Sequence, residues 1–420
     1  MSDIASKRSL FSWCLYDWAN SAYPTVITTF VFATYFTKAI AETPERGTGQ
    51  LGLALGIGGV IVALTSPVLG AIADRVGTRK PWIAVFTALC VVATAMLWYA
   101  KPEPDYAVLA LIFLVVSSVT FEFGGVFYNA MLPELAPPAM IGRISGWGWG
   151  LGYAGGLLCL VVALIGFVQT DTPWFGVGVT EAANIRATAV LAAVWFAVFA
   201  LPLFFFSKDR PANDISVGTA IRDGITVLAQ TAKTARNLSG IVRFLLARMI
   251  YTDGLSTLFA FGGVYAGNTF GMELAEVIQF GIALNVTAGL GAAMFAFIDD
   301  RIGAKRVIII ALVALIFFSS ALLIVESKLL FWLLGLGLGI FVGPAQAASR
   351  SMMVRLAPEE MHAEMFGLFA FSGKVTAFLG PFVLGLVTVT FDSQRAGMAT
   401  IVVFLLVGLL LLLPVKEPRS

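Results

Sequence analysis

The feature that most constrains this chain is a succession of apolar runs. Each is about 20–30 residues long, enough to cross a hydrocarbon layer of about 30 Å as a helix. Twelve runs can be marked off, at 10–40, 50–73, 81–100, 106–132, 141–168, 186–207, 241–267, 274–298, 307–325, 329–352, 362–390 and 395–414. In lipid a backbone must satisfy its own polar groups, which a helix does. Pro24, Pro67, Pro344 and Pro381 inside the runs are compatible with this, because neighbouring helices re-satisfy the freed groups. Composition removes the soluble alternative: 59% of the residues are hydrophobic and 12% charged, against roughly 45–50% and 25% in soluble domains. Most of that apolar surface must face lipid, so the chain is read as an all-α, multi-pass membrane protein.

Several function classes fall away. A net charge of +2, with Lys and Arg spread between the apolar runs, gives no nucleic-acid surface. Cys14, Cys90 and Cys159 lie inside apolar runs without ligand spacing, and His362 is the single histidine, so no metal site is expected. There is no Walker A loop, nucleophile elbow or large soluble domain, so neither an enzyme nor a cofactor is expected. The first run carries Asp17 and Asn20 and lacks a small-residue cleavage site, so it reads as a retained span.

The basic residues suggest orientation. With the N-terminus inside, the inner loops collect most of them, Arg75, Arg79, Lys80, Arg143, Arg301, Lys305, Arg350 and Arg355 included, while the outer side holds Lys38, Arg46, Lys101, Arg186, Lys328 and Arg395. By the positive-inside rule both termini are expected in the cytoplasm. Short loops suggest a prokaryotic inner membrane.

Charged punctuation recurs along the chain. "GAIADRVGTRK" from Gly70 and "AFIDDRIGAKR" from Ala296 align on Asp74-Arg75 and Asp300-Arg301, sharing Gly77 with Gly303 and Arg79 with Lys305. "LAPPAMIGRISG" from Leu135 and "LAPEEMHAEMFG" from Leu356 form a second pair; Asp17 and Asp253, early in the first and seventh runs, form a third. Three features in one order at nearly one offset imply a duplication. The expected fold is therefore twelve transmembrane helices in two pseudo-symmetric six-helix bundles, 1–207 and 241–420. They are joined by a linker, 208–240, whose apolar positions Val217, Ile221, Ile225, Leu228 and Ala232 suit a helix on the inner membrane surface.

The Gly70-x-x-x-Asp74-Arg75-x-Gly77-x-Arg79-Lys80 stretch resembles the loop motif of the major facilitator superfamily, and the second half carries a degenerate copy in which Ala296 replaces the leading glycine and Asp299 adds a charge. "LYDWANSAY" (15–23), "FYNAMLPELAP" (127–137), "YTDGLSTLFAFGGVYAG" (251–267) and "GPAQAASRSMMVRLAP" (343–358) further resemble the branch of autophagy-linked vacuolar amino-acid effluxers and their bacterial relatives. The superfamily resemblance implies the major facilitator fold. It also implies that the loop residues Gly70, Asp74, Arg75, Gly77, Arg79, Asp300, Arg301, Gly303 and Lys305 latch the two bundles in one state and release them in another. Export is implied by the vacuolar relatives.

Ionisable groups inside spans are costly and therefore mark functional positions. Asp17 and Glu122 lie in the first half, and Arg248, Asp253 and Lys374 in the second. The resemblance implies that spans 1, 4, 7 and 10 surround a central cavity, where acids of one half would face bases of the other. Such a set suits a zwitterion: Arg248 or Lys374 for a carboxylate, Asp17 or Glu122 for an ammonium, with Asp253 a further candidate solute contact. Glu122 and Asp17 are the candidates for proton coupling, because desolvation favours a carboxylate's neutral form. Tyr16, Asn20, Tyr23, Asn129, Asn285 and Gln346 are candidate neutral hydrogen-bonding groups. A purely structural pairing of these charges is the competing reading.

The expected function is secondary transport of a small polar solute, an amino acid moved with protons by alternating access. The expected partners are that solute, protons and the bilayer, with the protein working as a monomer. A multidrug or other metabolite exporter and a non-transporting, receptor-like derivative are the alternatives. The fourth-span arginine motif of drug/proton antiporters is absent, since "VTFEFGGVFYNA" carries Glu122 instead.

Overall fold

The computed structural model describes residues 6–213, 219 and 239–418. The proposed linker helix therefore lies outside the described residues. Everything secondary among the described residues is helical. After α1 (Lys7–Asn20) come α2 (Pro44–Val76), α3 (Lys80–Met96), α4 (Ala107–Ala130), α5 (Ile141–Ala163), α6 (Ala183–Phe206), α7 (Ser239–Phe270), α8 (Leu274–Ile302), α9 (Ala304–Ile324), α10 (Lys328–Leu356), α11 (His362–Lys374), α12 (Leu379–Phe391) and α13 (Gln394–Leu412). Eleven helical stretches are long and apolar enough to cross a membrane, from Arg46–Val76 to Gln394–Leu412. Large side chains such as Leu64, Val108, Phe205, Phe317 and Val389 are exposed along them, as a lipid-facing surface requires.

Three expected spans are not continuous α-helices; one of them, 141–168, ends in a wide turn at Leu164–Val168. The first span is helical in pieces: wide five-residue turns occupy Tyr23–Phe30 and Phe36–Ile40 around a short α-turn, Phe32–Tyr35. The cause is local. Pro24 has no N–H to donate, and Val31 N–H bonds back to Val26 (3.0 Å) in a five-residue step. The run at 362–390 is also interrupted. It stops at Lys374, passes through a turn, and resumes at Leu379.

Contacts divide the chain into two compact units. One runs to Val62 and takes in Gly77–Met131 and Leu151–Ala212; the other comprises Ala63–Val76, Leu132–Gly150 and the chain from Asn213 onward. The boundary cuts through α2 and α5 instead of falling between the two repeats. The physical reason is close helix approach at small residues. A Cβ on Gly70 (α2) would lie 2.2 Å from the Ala363 carbonyl oxygen, and one on Gly146 (α5) would lie 2.5 Å from the Ala296 methyl. In lipid such approach supplies the dispersion that binds helices. In the first unit the glycine-rich start of α5 serves the same end: a Cβ on Gly155 would meet the Trp18 carbonyl at 2.4 Å.

Candidate functional site

Both copies of the charged loop are built alike. Each Asp-Arg-x-Gly ends a helix, and its glycine takes a positive φ, +90° at Gly77 and +92° at Gly303. Any side chain would strain that turn. The next helix then opens on a carboxylate from a distant part of the chain. Arg79 N–H and Lys80 N–H donate to the two oxygens of Asp209 at 2.9 and 3.0 Å. Ala304 N–H and Lys305 N–H donate to those of Glu417, both at 2.9 Å. The lysines return the contact: Lys80 Nζ donates to the carbonyls of Phe204 (2.7 Å) and Ser207 (2.8 Å), and Lys305 Nζ to that of Leu413 (2.7 Å). Carboxylates thus meet the unpaired N–H groups of helix starts, and ammonium groups meet the unpaired carbonyls of helix ends. Asp209 and Glu417 escaped the sequence reading. Their signal was a further repeat, a Lys-acid pair shortly before a proline, in "SKDRP" and "VKEP".

The motif aspartates reach the other repeated element. Asp74 Oδ1 accepts from Ala363 N–H (3.1 Å) and Oδ2 from Glu364 N–H (2.8 Å), capping α11. Asp300 Oδ1 accepts from Arg143 N–H (3.1 Å), at the start of α5, and Oδ2 lies 3.3 Å from Arg143 Nε. The two kinds of repeat are therefore each other's partners: the Asp-Arg-x-Gly of one sequence half caps the Leu-Ala-Pro segment of the other. The substitutions in the second copy are compensated across the contact. Ala296 replaces glycine, and its methyl abuts Gly146; Asp299 replaces Ala73, and it abuts Gly142, where a Cβ would lie 2.5 Å from the carboxyl carbon.

Some expected latch residues do other work. Arg79 is fully buried and donates from Nη1 to the Ala130 carbonyl. The carbonyl of Arg75 accepts from Asn213 Nδ2 (2.8 Å). Arg301 is exposed and makes no ion pair among the described residues; Arg143 is the cation on Asp300. Arg350 and Arg355, grouped with the inner-loop basics, are buried and half-buried instead. Arg355 Nη1 lies 2.7 Å from both Asp299 Oδ1 and Glu417 Oε1, and Ser351 Oγ donates to Asp299 Oδ2. Arg350 donates to Ser145 Oγ (2.9 Å) and to the Ser145 carbonyl (2.6 Å), with its guanidinium over Trp149.

The expected solute residues fall in both units. In the first, Tyr16 is a packing residue: it is 1% exposed, its hydroxyl pairs with Thr87 Oγ1 (2.7 Å), and its ring stacks on Tyr128. Tyr23 is likewise spent on Ser117 Oγ (2.9 Å) and tilts against Phe121. Asp17, Asn20, Glu122 and Asn129 are half-buried. Asp17 ends α1 beside Gly152, where a Cβ would come within 3.5 Å of its own. Phe123, adjacent to Glu122, turns away to pack on Phe86.

In the second unit Arg248 is half-buried on α7 and fastened to α11. Nη1 donates to the Phe369 carbonyl (2.6 Å) and Ser372 Oγ (2.8 Å), and the guanidinium carbon stands 3.4 Å from the centre of the Phe369 ring. A planar cation so held is preoriented for a carboxylate. Gly373 keeps the space open, since a Cβ there would come within 3.2 Å of Nη1. Asp253 is 3% exposed. Asn285 Nδ2 is turned onto its own helix at the Gly281 carbonyl (2.8 Å). Gln346 is half-buried, and Lys374 closes α11 at the interruption of the eleventh span rather than in mid-helix.

Comparison with known proteins agrees with this architecture. The family described as "Vacuole effluxer Atg22 like" matches residues 139–420, well over half of the chain, and the Major Facilitator Superfamily matches residues 1–160. The chain belongs to the Atg22-like family of major facilitator transporters. The family consists of transporters, not enzymes. An uncharacterized major-facilitator-type transporter of Bacillus subtilis, YxiO, is 28% identical, over 97% of this chain and 95% of its own. Autophagy-related protein 22 of Yarrowia lipolytica is 23% identical over 73% of this chain. This chain spans only about half the length of such autophagy-related relatives, 56% of the Yarrowia protein and 49% of one from Neosartorya fischeri. Among solved structures, a proton:xylose symporter aligns over 98% of this chain and 96% of its own, with a TM-score of 0.75 at 12% identity. A human organic anion transporter aligns over 97% and 99%, with a TM-score of 0.74 at 14% identity. These likenesses show the fold.

Proposed function

We propose that the protein moves a zwitterionic solute, an amino acid, across the membrane by alternating access, in the export direction and coupled to protons. The observation that carries this reading is Arg248. A guanidinium at membrane depth is costly, and this one is braced by a carbonyl, a hydroxyl and an aromatic face without being fully buried. That arrangement suits recognition of a carboxylate better than it suits structural pairing. In this reading Lys374, Gln346 and Asn285 support the solute from the second unit. Asp17, Asn20 and Asn129 receive its ammonium end from the first, and Glu122, with Asp17, carries the proton. The vacuole-effluxer description of the matched family supports export of a metabolite. The two sequence halves act as rocking bundles in this proposal, both termini are cytoplasmic, and the Asp74 and Asp300 caps are made in one state and broken in the other.

The test is counterflow of a labelled amino-acid mixture into liposomes holding the purified protein. Wild type should exchange a subset of amino acids. Arg248→Ala should abolish exchange and Arg248→Lys should weaken it at least tenfold, because a point charge does not replace the planar fork. Glu122→Gln should spare exchange and lose pH-driven accumulation. Exchange of another metabolite or a lipophilic cation, with no amino acid moved, would overturn the substrate assignment.

A further inference from the structure

Halfway along α7, beside the interruption of the eleventh span, lie three side-chain oxygens shielded from solvent. Asp253 is 3% exposed and Thr257, one turn on, 1%. Neither Asp253 Oδ2 nor Thr257 Oγ1 has a hydrogen-bond partner, and Thr376 Oγ1, within the interruption, has none either. Yet Thr376 lies against the Asp253 carboxylate. The opposing face of span 11 carries Thr376 and, four residues on, Gly380. A Cβ at Gly380 would sit 2.1 Å from Thr257 Oγ1 and 3.1 Å from the Asp253 carbonyl oxygen. Only a glycine lets the two helices bring these oxygens together.

The two threonines differ from several others in the spans. Thr25, Thr120 and Thr388 each donate the hydroxyl to the carbonyl four residues back, the default for a hydroxyl in a lipid-facing helix. Thr257 and Thr376 forgo that bond. Beside them α11 ends and the backbone tightens into three-residue steps, Ala377 N–H to Lys374 (3.2 Å) and Leu379 N–H to Thr376 (2.7 Å). The carbonyl-rich, partially negative end of α11 thus lies next to Thr376 in the chain.

Among the described residues no ion pair reaches the Asp253 carboxylate. Arg248, five residues before Asp253, is engaged with Phe369 and Ser372. From α13 the groups against this part of α7, at Gly254, are Ile401, Phe404 and Leu405. A buried carboxylate without a charge partner is retained in a membrane span only for a use.

We propose that Asp253 Oδ2, Thr257 Oγ1 and Thr376 Oγ1, with the carbonyl end of α11, bind a small dehydrated alkali cation, sodium. Such an ion takes oxygen ligands only. It needs lone pairs not already committed to hydrogen bonds, and broken helices in transporters supply carbonyls of this kind. A cation there ties α7 to the junction of α11 and α12, so its binding is linked to the geometry of the span that also holds Arg248. Binding itself does not depend on the solute being an amino acid, so the counterflow result above and the result below can fail separately.

The test is thermal unfolding of the full-length protein in detergent, in NaCl against choline chloride at equal ionic strength and fixed pH. A ligand that binds the native state raises the melting temperature with its concentration. Wild type should show a saturable sodium-dependent rise, and Thr376→Val and Asp253→Asn should each abolish it while melting cooperatively in choline. Should Asp253→Asn not fold, Thr257→Val and Thr376→Val carry the test through at least a tenfold weaker apparent sodium affinity. Equal melting of wild type in the two salts overturns the proposal, as does a sodium shift that survives both threonine variants. A pH-dependent melting removed by Asp253→Asn, with no sodium response, also overturns it and leaves Asp253 as a proton carrier.

Discussion

At the first charged loop, Asp74 meets the start of α11 through two backbone N–H groups; at the second, Asp300 meets the backbone at the start of α5, at Gly142 and Arg143, and also the side chain of Arg143. The aligned position after the cap reverses sign: Arg143 in one copy is Glu364 in the other, 1% exposed, whose backbone N–H donates to Asp74. The second copy also carries the Asp299–Arg355–Glu417 network, where the first has Ala73. One backbone design is therefore used twice with different electrostatics. Backbone caps hold the first contact, and ion pairs reinforce the second. The ion pairs at the second contact should add to the stability of the folded protein.

The largest expected effect that tests this contrast is Arg355→Ala. It leaves the buried Asp299 and the half-buried Glu417 without their cation and should cost about 3–5 kcal/mol of stability, read from chemical or thermal unfolding in detergent. Unchanged unfolding would mean that the network is solvated and that the two copies are energetically alike. Next comes a matched pair. Asp209→Ala removes only the cap on α3 and should cost about 0.5–2 kcal/mol. Glu417→Ala removes the equivalent cap on α9 and a partner of Arg355, so it should cost distinctly more; equal losses would break the comparison. Asp74→Ala should destabilise by about 0.5–2 kcal/mol, yet slow solute exchange more than Asp300→Ala does relative to that loss. At the bottom of the scale, Lys101→Ala should leave both unfolding and exchange unchanged. Its pairing with Glu181 is exposed, and exposed pairs are screened. Glu181 raises the Lys101 pKa, first by its hydrogen bond and then by its charge.

Much of this architecture was legible in the chain because lipid permits so few solutions. Apolar runs near 20 residues, punctuated by charge, specify helices, and the duplicated Asp-Arg-x-Gly stretches marked the turns later found at Gly77 and Gly303. Two things were illegible for physical reasons. Hydropathy does not register where a helix changes its hydrogen-bond step, so the wide turns after Pro24 and the interruption after Lys374 passed as continuous spans. Sequence also does not show which way a charge turns once several helices meet. Arg350 counted among the inner-loop basics although it is buried, and Arg355 although it is half-buried and paired; Arg301, grouped with the latch, is exposed while Arg143 meets Asp300. Tyr16 looked like a solute ligand because it neighbours Asp17, but one residue along a helix is a turn of about 100°, enough to point it at Thr87. The partnership between the two repeated elements was present as two separate repeats, and only their three-dimensional meeting showed that each caps the other.

The most direct measurement is amide hydrogen exchange followed by mass spectrometry on wild type, Asp74→Asn and Asp300→Asn. Each aspartate is held to cap one helix start, so Asp74→Asn should speed exchange in a peptide covering 362–366 and leave 141–145 protected. Asp300→Asn should do the reverse, by a smaller factor, because Arg143 keeps other contacts through Phe297. If neither variant alters protection at its own helix, or if each alters both equally, the reciprocal capping of the two repeats is wrong, and with it the reading of the duplicated loop as a pair of releasable latches.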